Sequence, residues 1–419
     1  MARNNETPIR VGLLGAGTVG SQTARLIVEQ KDELSARIGR PIELTGVACL
    51  DPKETEKFPW IDQSIVTTDT LSVATNSDIV IELIGGTTVA RKFVLAAIES
   101  GASVVTANKA LLAKYGPEIY SAAEAKGVDI YFEAAVGGAI PFLRPLRESL
   151  VGDKVTSMLG IVNGTTNYIL DEMTTKGLQF DDVLKDAQAK GYAEADPTGD
   201  IEGYDAANKA AIMATLGFHT SVTIDDVSVE GITKITLEDV ANADKLGCVI
   251  KLIAWMKRGK DGSVAAGVEP CLVPKANQLA SVDDVFNAVL VKGDMLGDVV
   301  FYGKGAGKLP TASAVVADVV DALKHGSKVH DSLFWQPAEP VEGMLTDPAP
   351  AAYYVRVAGI APAVVEAIYG YGKVVDERYE GCAYFVKRAD ERALAEAARK
   401  VEAVGGSVKL VLKRLPEEV

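Results

Sequence analysis

The first third of the chain alternates short apolar runs with longer stretches in which apolar residues recur every three or four positions. The runs that predict strands cover residues 9–14, 42–50, 78–84, 103–106 and 129–135, and helical patterns separate most of them. Strands that alternate with helices favour a parallel sheet covered by helices on both faces. We therefore predict an α/β fold built on a doubly wound parallel sheet, with a ligand crevice at the carboxyl ends of its strands.

The pattern changes after about residue 150. Strand-like runs at 155–162, 227–232 and 264–272 are mixed with helices, including an amphipathic helix at 180–190, and this mixture predicts an α+β segment. Four prolines between residues 337 and 350 predict a linker. Beyond it, the pattern predicts a βαββαβ module with strands at 352–358, 373–377, 383–388 and 408–412 and helices at 363–369 and 390–404.

These changes predict three domains in a chain of 419 residues. The first is a Rossmann-type nucleotide-binding domain at 1–149, completed by about residues 305–340. The second is an α+β catalytic and oligomerisation domain at 150–304. The third is the small βαββαβ domain at 350–419.

Composition narrows the functional class. The net charge of −14 and the pI near 4.9, without a cluster of Lys or Arg, argue against binding to nucleic acid or an anionic membrane. The four cysteines lie far apart without CxxC spacing, which predicts buried free thiols in a reducing compartment. The N-terminus lacks an apolar leader and no apolar run approaches the length of a membrane span, so we expect a cytoplasmic protein.

A glycine-rich turn follows the first predicted strand and opens a helix. In this strand–turn–helix context GxGxxG predicts a dinucleotide site, because the glycines let the backbone approach a pyrophosphate at the helix N-terminus. Asp51, at the end of the second strand, is a candidate for the ribose hydroxyls, while Lys53 and Lys57 instead favour a 2′-phosphate, so NAD and NADP both stay open. The expected cofactor contacts of the turn are Gly15, Gly17, Thr18, Val19 and Gly20.

Two further loops follow predicted strands of the same sheet. Thr106-Ala107-Asn108-Lys109 lies at a strand end; a lysine there can be an ordinary surface residue, but its place beside the predicted crevice favours a functional role. Glu133 opens a loop with Gly137 and Gly138, in which one carboxylate and several carbonyls suit a hard, weakly charged cation; the alternative is a linker turn. A second glycine-rich loop at 303–311 lacks the Lys-Ser/Thr pair of a phosphate loop, so we reject that interpretation.

The stretch from Gly191 to Lys209 carries the densest chemistry. It holds five carboxylates and leads into an alanine-rich helix, where Asp205 and Lys209 share one face. An arbitrary Asp/Lys pair at this spacing is most often a solvated ion pair. Here the lysine stands at the start of an apolar helix, and Pro197, Gly199 and Gly203 constrain the preceding loop, so we predict a functional pair.

Residues 187–209 resemble the signature of homoserine dehydrogenases. The resemblance implies reversible reduction of L-aspartate 4-semialdehyde to L-homoserine with NAD(P)H, on the route to threonine, methionine and isoleucine. It implies Lys209 as the proton donor to the developing oxyanion, Lys109 as runner-up or nicotinamide anchor, and Glu194, Asp200 and Asp205 as substrate ligands. The matching positions are Ala187, Gly191, Tyr192, Ala193, Asp196, Pro197, Asp200, Ile201, Gly203, Asp205 and Lys209.

Other segments are similar to the same family in the same order. Thr106 and Lys109 are then expected at the cofactor, and Gly307 at the nicotinamide. The loop after residue 132 is expected to bind a monovalent cation, usually sodium, through Glu133, Val136, Gly138 and Ile140. The tail resembles an ACT regulatory module, and the resemblance implies a homodimer or homotetramer. The turn at 359–363 keeps the proline of such modules but lacks their acidic residue and glycine after the proline, which argues against threonine binding there.

Two other functions are weighed against this one. A phosphorylating aspartate semialdehyde dehydrogenase needs a thiolate nucleophile, and the sequence places no cysteine beside a histidine. A nucleotide-sensing regulator that lacks catalysis is built from the same two kinds of domain. It has no need of Asp205 and Lys209, which are both present.

Overall fold

The computed structural model describes residues 7–325, 350–378 and 381–417. The chain divides into two compact units, one formed by Met1–Gly152, Ala211–Asp225 and Gly303–Glu339, the other by Asp153–Ala210, Asp226–Tyr302 and Pro340–Val419. The linker predicted at 337–350 lies outside the described residues except for Pro350. Each unit is described in turn.

The first unit begins with strands and helices in alternation. Its strands are β1 (Ile9–Leu14), β2 (Ile42–Ala48), β3 (Val66–Thr67), β4 (Ile79–Glu82), β5 (Ser103–Thr106) and β6 (Ile130–Tyr131). Its helices in this part of the chain are α1 (Thr18–Glu29), α2 (Lys31–Ile38), α3 (Thr70–Thr75), α4 (Thr88–Glu99) and α5 (Lys109–Lys126).

The elements that follow supply the second unit and the end of the first. The strands are β7 (Val155–Ile161), β8 (Val227–Val229), β9 (Cys248–Arg258), β10 (Val264–Pro274), β11 (Phe286–Gly293), β12 (Gly297–Lys304), β13 (Ala351–Ala358), β14 (Gly372–Arg378), β15 (Gly381–Ala389) and β16 (Ser407–Arg414). The helices are α6 (Gly164–Lys176), α7 (Phe180–Ala189), α8 (Thr198–Ile201), α9 (Tyr204–Phe218), α10 (Leu237–Lys245), α11 (Lys308–His325), α12 (Pro362–Tyr369) and α13 (Glu391–Ala403).

The sheet of the first unit has the strand order β3-β2-β1-β4-β5-β6, and every neighbouring pair is parallel. The predicted doubly wound parallel sheet is therefore confirmed. Its core packs buried side chains of β1, β2 and α1 against Val315, Val316 and Val319 of α11. The apolar face of α11 thus belongs to the core of the parallel sheet, although more than 170 residues separate that helix from β6.

The strand predicted at 129–135 is mostly wrong. Only Ile130 and Tyr131 pair with β5, and residues 133–135 form a 3₁₀ turn. The backbone N–H of Glu133 donates to the Asp318 carboxylate at 2.8 Å, so it is not available to a sheet ladder. Helix α11 begins at Lys308, inside the glycine-rich segment 303–311, because Pro310 in the first turn of a helix costs it no hydrogen bond.

The second unit contains a mixed sheet in the order β12-β11-β7-β9-β10-β16-β13-β15-β14, with β8 beside β10. The elements from β13 to β16 follow the predicted βαββαβ order, and their strands pair antiparallel. The last strand, β16, also pairs in parallel with β10 through Cys271 and Leu272. The tail therefore continues the sheet of the α+β segment instead of forming a sheet of its own.

Two expectations from composition can be compared with the structure. All four cysteines lie in described residues and are free thiols, and Cys248, Cys271 and Cys382 are buried. Across the described ranges, no helix combines the length and the apolarity that crossing a membrane requires.

Candidate active site

Lys209 and Asp205 form a buried ion pair in the first turns of α9. The Lys209 side chain is 9% exposed and that of Asp205 is 15% exposed. Lys209 Nζ donates to Asp205 Oδ2 at 2.6 Å and to the backbone carbonyl of Val162 at 2.6 Å. Small buried alanines at 206, 207, 210 and 211 let this helix pack closely against its neighbours. The solvated ion pair that the spacing allows is therefore excluded, and the ammonium is held in a low-dielectric setting by two oxygen acceptors.

The turn from β7 to α6 supplies the contacts to this pair. Val162 offers its carbonyl to Lys209, and the next residue, Asn163, is 5% exposed and caps α6. The Asn163 amide nitrogen donates to Asp200 Oδ1 at 2.6 Å and to Asp205 Oδ2 at 2.9 Å. One side chain thus links two carboxylates that the sequence predicts at the substrate.

The loop before α9 is shaped by local hydrogen bonds. The Asp196 carboxylate accepts hydrogen bonds from the hydroxyl and the backbone N–H of Thr198. These hydrogen bonds lower the pKa of Asp196, because they stabilise its ionised form. Thr165 donates its hydroxyl to the Tyr192 carbonyl at 2.7 Å, which ties the loop to α6. Gly203 has φ of +88°, and a Cβ there would lie 3.1 Å from Val229, so a glycine is required before α9.

Glu194 is placed differently from the other predicted substrate ligands. It lies in the same loop, but its side chain is exposed, whereas Asp200 and Asp205 both bind Asn163. The backbone carbonyl of Glu194 accepts from Gln188 at 3.1 Å. The structure therefore brings Asp200, Asp205 and Lys209 together through Asn163, while the Glu194 carboxylate points into solvent-accessible space.

The predicted dinucleotide turn has the geometry that its glycines suggest. Gly15 has φ of +99°, and a Cβ there would meet the Leu83 carbonyl oxygen at 2.7 Å. A Cβ on Gly20 would lie 1.9 Å from the Gly15 carbonyl oxygen, whereas a Cβ on Gly17 would meet nothing within 4 Å. The space beside Gly17, at the N-terminus of α1, suits a pyrophosphate, since α1 begins without a side-chain cap on its first N–H groups. Thr18 and Val19 form the first turn of that helix.

Asp51 and the two nearby lysines leave the choice of cofactor open. Asp51 is exposed and accepts from the backbone N–H of Lys53 at 3.0 Å, capping a short 3₁₀ helix. Lys57 Nζ lies 5.2 Å from the centre of the Phe58 ring. Neither arrangement selects between a ribose hydroxyl and a 2′-phosphate.

Glu82, which the sequence does not single out, organises the loops at the ends of β4 and β5. It is completely buried, accepts from the N–H of Ile84 at 2.8 Å, and binds the Thr106 hydroxyl at 2.7 Å. Thr106 in turn accepts from the N–H of Asn108, which caps α5. Lys109 is the first residue of that helix, so these buried hydrogen bonds set its position. The Thr106 hydroxyl is itself engaged in them, as a donor to Glu82 and an acceptor from Asn108.

The Glu133 carboxylate is held by a cradle of backbone amides. Oε1 accepts from the N–H groups of Phe142 at 2.6 Å and Leu143 at 2.9 Å, and Oε2 accepts from Arg144 at 2.7 Å. Burial raises the pKa of Glu133, and the three amides oppose that shift. Asp318 of α11 holds both ends of this loop, since it accepts from the N–H of Glu133 and from the Arg144 guanidinium at 2.8 Å. Burial and the neighbouring Glu133 raise the pKa of Asp318 to about 7.

A cavity of about 460 Å³ lies beside this loop in the first unit. Glu133, Gly138 and Ile140 line it together with Arg144, whereas Val136 is fully buried. A Cβ on Gly138 would lie 3.0 Å from the Gly305 carbonyl, so the second glycine-rich loop packs against the predicted cation loop. Gly307, the predicted nicotinamide contact, has φ of +129° and immediately precedes α11.

The sequence alone did not predict a role for three residues of the candidate sites, Asn163, Glu82 and Asp318. Asn163 has the residue type of a helix cap, but its two carboxylate partners lie 37 and 42 residues away in the sequence. Glu82 is the last residue of an apolar strand. A carboxylate in such a buried position needs specific hydrogen-bond donors, so its presence there could have indicated a polar network. Asp318 interrupts the apolar face of α11 in the same way.

Comparison with known proteins gives one consistent family. A homoserine dehydrogenase profile matches residues 141–320, and a profile of the homoserine dehydrogenase NAD-binding domain matches residues 15–133. The chain is 49% identical to the homoserine dehydrogenase of Corynebacterium glutamicum over 328 residues, which cover 77% of this chain and 73% of that protein. It is 44% identical to the homoserine dehydrogenase of Neisseria gonorrhoeae over 356 residues, which cover 84% of this chain and 82% of that protein.

Solved structures agree with the sequence relatives. The crystal structure of a homoserine dehydrogenase from Thiobacillus denitrificans matches with a TM-score of 0.88 at 40% identity, covering 98% of this chain and 99% of that one. A hyperthermophilic archaeal homoserine dehydrogenase mutant in complex with NADPH matches with a TM-score of 0.64 at 26% identity, covering 77% of this chain and 100% of that one.

Proposed function

Because the chain belongs to the homoserine dehydrogenase family of NAD(P)-dependent oxidoreductases, we propose that it interconverts L-aspartate 4-semialdehyde and L-homoserine with Lys209 as general acid and base. The observation that supports this role is the buried Lys209–Asp205 pair, whose ammonium is fixed by the Val162 carbonyl. A positioned proton donor is what an aldehyde needs when its oxygen gains negative charge. The proposed pathway is the one to threonine, methionine and isoleucine.

The chain's own groups divide the chemistry between them. A bound nicotinamide cofactor supplies the hydride to the aldehyde carbon. Lys209 gives a proton to the oxygen that becomes the alcohol, and takes it back when homoserine is oxidised. Asp205 and Val162 hold the lysine in one place, so its N–H does not have to be reoriented as the charge develops.

Acidic side chains of the same loop recognise the amino-acid part of the substrate in this proposal. Asp200 and Asp205 are ordered by Asn163 and offer negative charge to the substrate ammonium, and Glu194 does so from a flanking exposed position. Lys109 is proposed as a second donor or as an anchor for the nicotinamide, since the Glu82 network fixes the start of α5.

The residues around Gly17 fit a dinucleotide. A side chain at Gly15 or Gly20 would clash with the protein backbone, whereas the space beside Gly17 is open and can hold a phosphate group. We propose NADP(H) or NAD(H) as cofactor. The archaeal neighbour was solved with NADPH, but Asp51 and Lys53 of this chain do not decide between the two dinucleotides.

A monovalent cation, sodium in the first place, is proposed at the loop of Glu133, Val136, Gly138 and Ile140. The Glu133 carboxylate already accepts three amide hydrogens, so it retains little further capacity, and most of the ligands have to be backbone carbonyls. One shared negative charge and neutral oxygens suit a monovalent ion. Turnover should fall when sodium and potassium are replaced by a large organic cation at constant ionic strength, and equal rates would exclude the site.

The tail and the assembly complete the proposal. We propose that residues 350–419 form an ACT-like module that has a structural role, and that the protein is a cytoplasmic homodimer or homotetramer. The continuous sheet from β10 through β16 to β13 supports a structural role, since the module is joined by backbone hydrogen bonds.

The deciding experiment is an assay of NADH and NADPH oxidation with L-aspartate 4-semialdehyde, followed at the nicotinamide absorbance. Homoserine formation with either cofactor is expected, and the ratio of kcat/KM values identifies the preferred one. A chain that binds the dinucleotide but forms no homoserine would instead be a sensor of the non-catalytic class.

A further inference from the structure

Asn163 uses all of its side-chain hydrogen-bonding capacity in the candidate active site. Its amide nitrogen donates to Asp200 Oδ1 at 2.6 Å and to Asp205 Oδ2 at 2.9 Å. Its carbonyl oxygen accepts from the backbone N–H of Thr166 at 2.8 Å and from the Thr166 hydroxyl at 3.0 Å. A carboxamide has two N–H donors and two acceptor lone pairs, so none of this capacity is left over.

Capping α6 does not by itself require an asparagine at position 163. Ser, Thr and Asp cap helices about as well as Asn, because capping needs only one acceptor oxygen. Donating to two carboxylates needs an NH₂ group as well, and among these four residues only Asn has one. The orientation of the amide is also determined, because the reverse would turn its oxygen toward Asp200 and Asp205.

We propose that Asn163 is a positioning residue for the reaction, acting on Lys209 through Asp205. The inference rests on the proposed role of Lys209. Asp205 Oδ2 accepts from both Asn163 and Lys209, so the asparagine fixes the oxygen to which the lysine is paired. The same NH₂ group donates to one oxygen of each carboxylate, so it reduces the repulsion between Asp200 and Asp205 where they lie close together.

The position in the chain strengthens this connection. Val162 and Asn163 are consecutive, and the first binds Lys209 through its carbonyl while the second binds Asp205 through its side chain. Both members of the ion pair are therefore held by one turn between β7 and α6. A change that removes only the NH₂ group of Asn163 is expected to take one hydrogen bond from Asp205 Oδ2 and leave those from Lys209 to Asp205 and Val162 in place.

The test compares Asn163→Asp with Asn277→Asp in the full chain. Both positions are buried caps, since Asn277 is 4% exposed, caps the turn at Gln278–Ser281 and donates to the Pro416 carbonyl. Asn163→Asp keeps the capping oxygen but puts a third carboxylate beside Asp200 and Asp205, which favours the protonated form of Lys209. The pH at which homoserine oxidation reaches half its maximum should rise by about one unit. Asn277→Asp should leave that pH unchanged.

A second variant serves if the added carboxylate prevents folding. Asn163→Ser adds no charge and keeps a capping oxygen, so the protein should still fold, with a melting temperature lowered by the hydrogen bonds that Asp200 and Asp205 lose, while kcat should fall about tenfold or more. Asn277→Ser is its control and should keep the wild-type kcat.

The outcomes separate the two proposals. If the wild type forms homoserine, but Asn163→Asp has the wild-type pH profile or Asn163→Ser keeps kcat within twofold, the positioning role is wrong. If the wild type forms no homoserine with either cofactor, the proposed function fails and this inference fails with it.

Discussion

Lys209 and Lys251 show how differently two buried lysines are used in one unit. Lys251 is 3% exposed, donates to the Val282 carbonyl at 2.6 Å, and has its pKa lowered by burial. Lys209 makes the same kind of backbone contact, but its carboxylate partner Asp205 is only 15% exposed and lies 2.6 Å away, whereas Asp283 lies 3.7 Å from Lys251 Nζ and is 67% exposed. Replacing either lysine removes a similar buried hydrogen bond. A comparison of the two variants therefore separates the effect on stability from the effect on catalysis.

Lys209→Met should lower kcat by about 10² or more, the usual scale for a positioned general acid, because methionine fills the space but has no proton to give. Lys251→Met should keep kcat near the wild-type value. Both variants are measured by steady-state kinetics and by thermal unfolding. Near-normal turnover in Lys209→Met, with Lys109→Met inactive, would transfer the role to Lys109.

Residue types in the site were predictable, but their partners were not. The spacing of Asp205 and Lys209 placed them on one helix face, and the structure confirms that they pair. Burial of the pair depends on packing around α9, which no local pattern encodes. The link from Asn163 to Asp200 and Asp205 joins three segments, so it became visible only when those segments were placed in space.

At the scale of elements, the turn from β1 to α1 combines two glycines with different duties. Gly20 is needed for packing, since a Cβ there would overlap the Gly15 carbonyl oxygen, whereas Gly17 leaves space open for a ligand. The sequence motif contains both glycines, but in the structure only Gly20 is required by packing, while Gly17 leaves the space where we propose that a pyrophosphate binds.

Gly20→Ala should lower the melting temperature, because the 1.9 Å approach to the Gly15 carbonyl forces the strand and helix apart. Gly17→Ala should leave the melting temperature unchanged but weaken NADPH or NADH binding about tenfold, through loss of close backbone hydrogen bonds to phosphate. Thermal unfolding and nucleotide fluorescence titration measure the two effects. Gly152→Ala, another open position, is the control for both. Unchanged affinity in Gly17→Ala would contradict the pyrophosphate site.

The elements that the pattern predicts have small errors at their ends, whereas β3, β9, β11 and β12 were not predicted, and the error at 129–135 has a physical cause. The run at 129–135 is as apolar as a strand because it is buried, yet its backbone at Glu133 bonds to Asp318. Apolarity reports burial but does not distinguish a strand from a buried loop. The βαββαβ order was predictable from alternation, whereas the pairing of β16 with β10 was not, since their residues are far apart in sequence.

On the scale of the whole molecule, the tail offers little to an amino-acid effector. The turn at 359–363 carries no acidic side chain, and Pro362 has no N–H. Asp376, the acid that the next strand could supply, binds Lys245 Nζ at 3.0 Å. The groups that hold a zwitterion are therefore missing from the turn or already engaged.

Millimolar L-threonine should change the initial rate of the full chain by less than about twofold, because the turn lacks a carboxylate for its ammonium. Rates with and without threonine, and calorimetric titration of the same protein, provide the measurement. Asp376→Asn is the informative variant, since a truncation near residue 350 would also remove β16 from beside β10. Strong inhibition that Asp376→Asn abolishes would show that the tail binds threonine through this acid.

The place of β16 in the sheet also governs how the protein can be made. Nine strands of that sheet are synthesised before it, yet β16 lies between β10 and β13. Until residues 407–414 leave the ribosome, the part of β10 around Cys271 and Leu272, which β8 does not cover, keeps an open edge of the kind that recruits strands from neighbouring chains. A nascent chain therefore completes this sheet only after translation has passed residues 407–414.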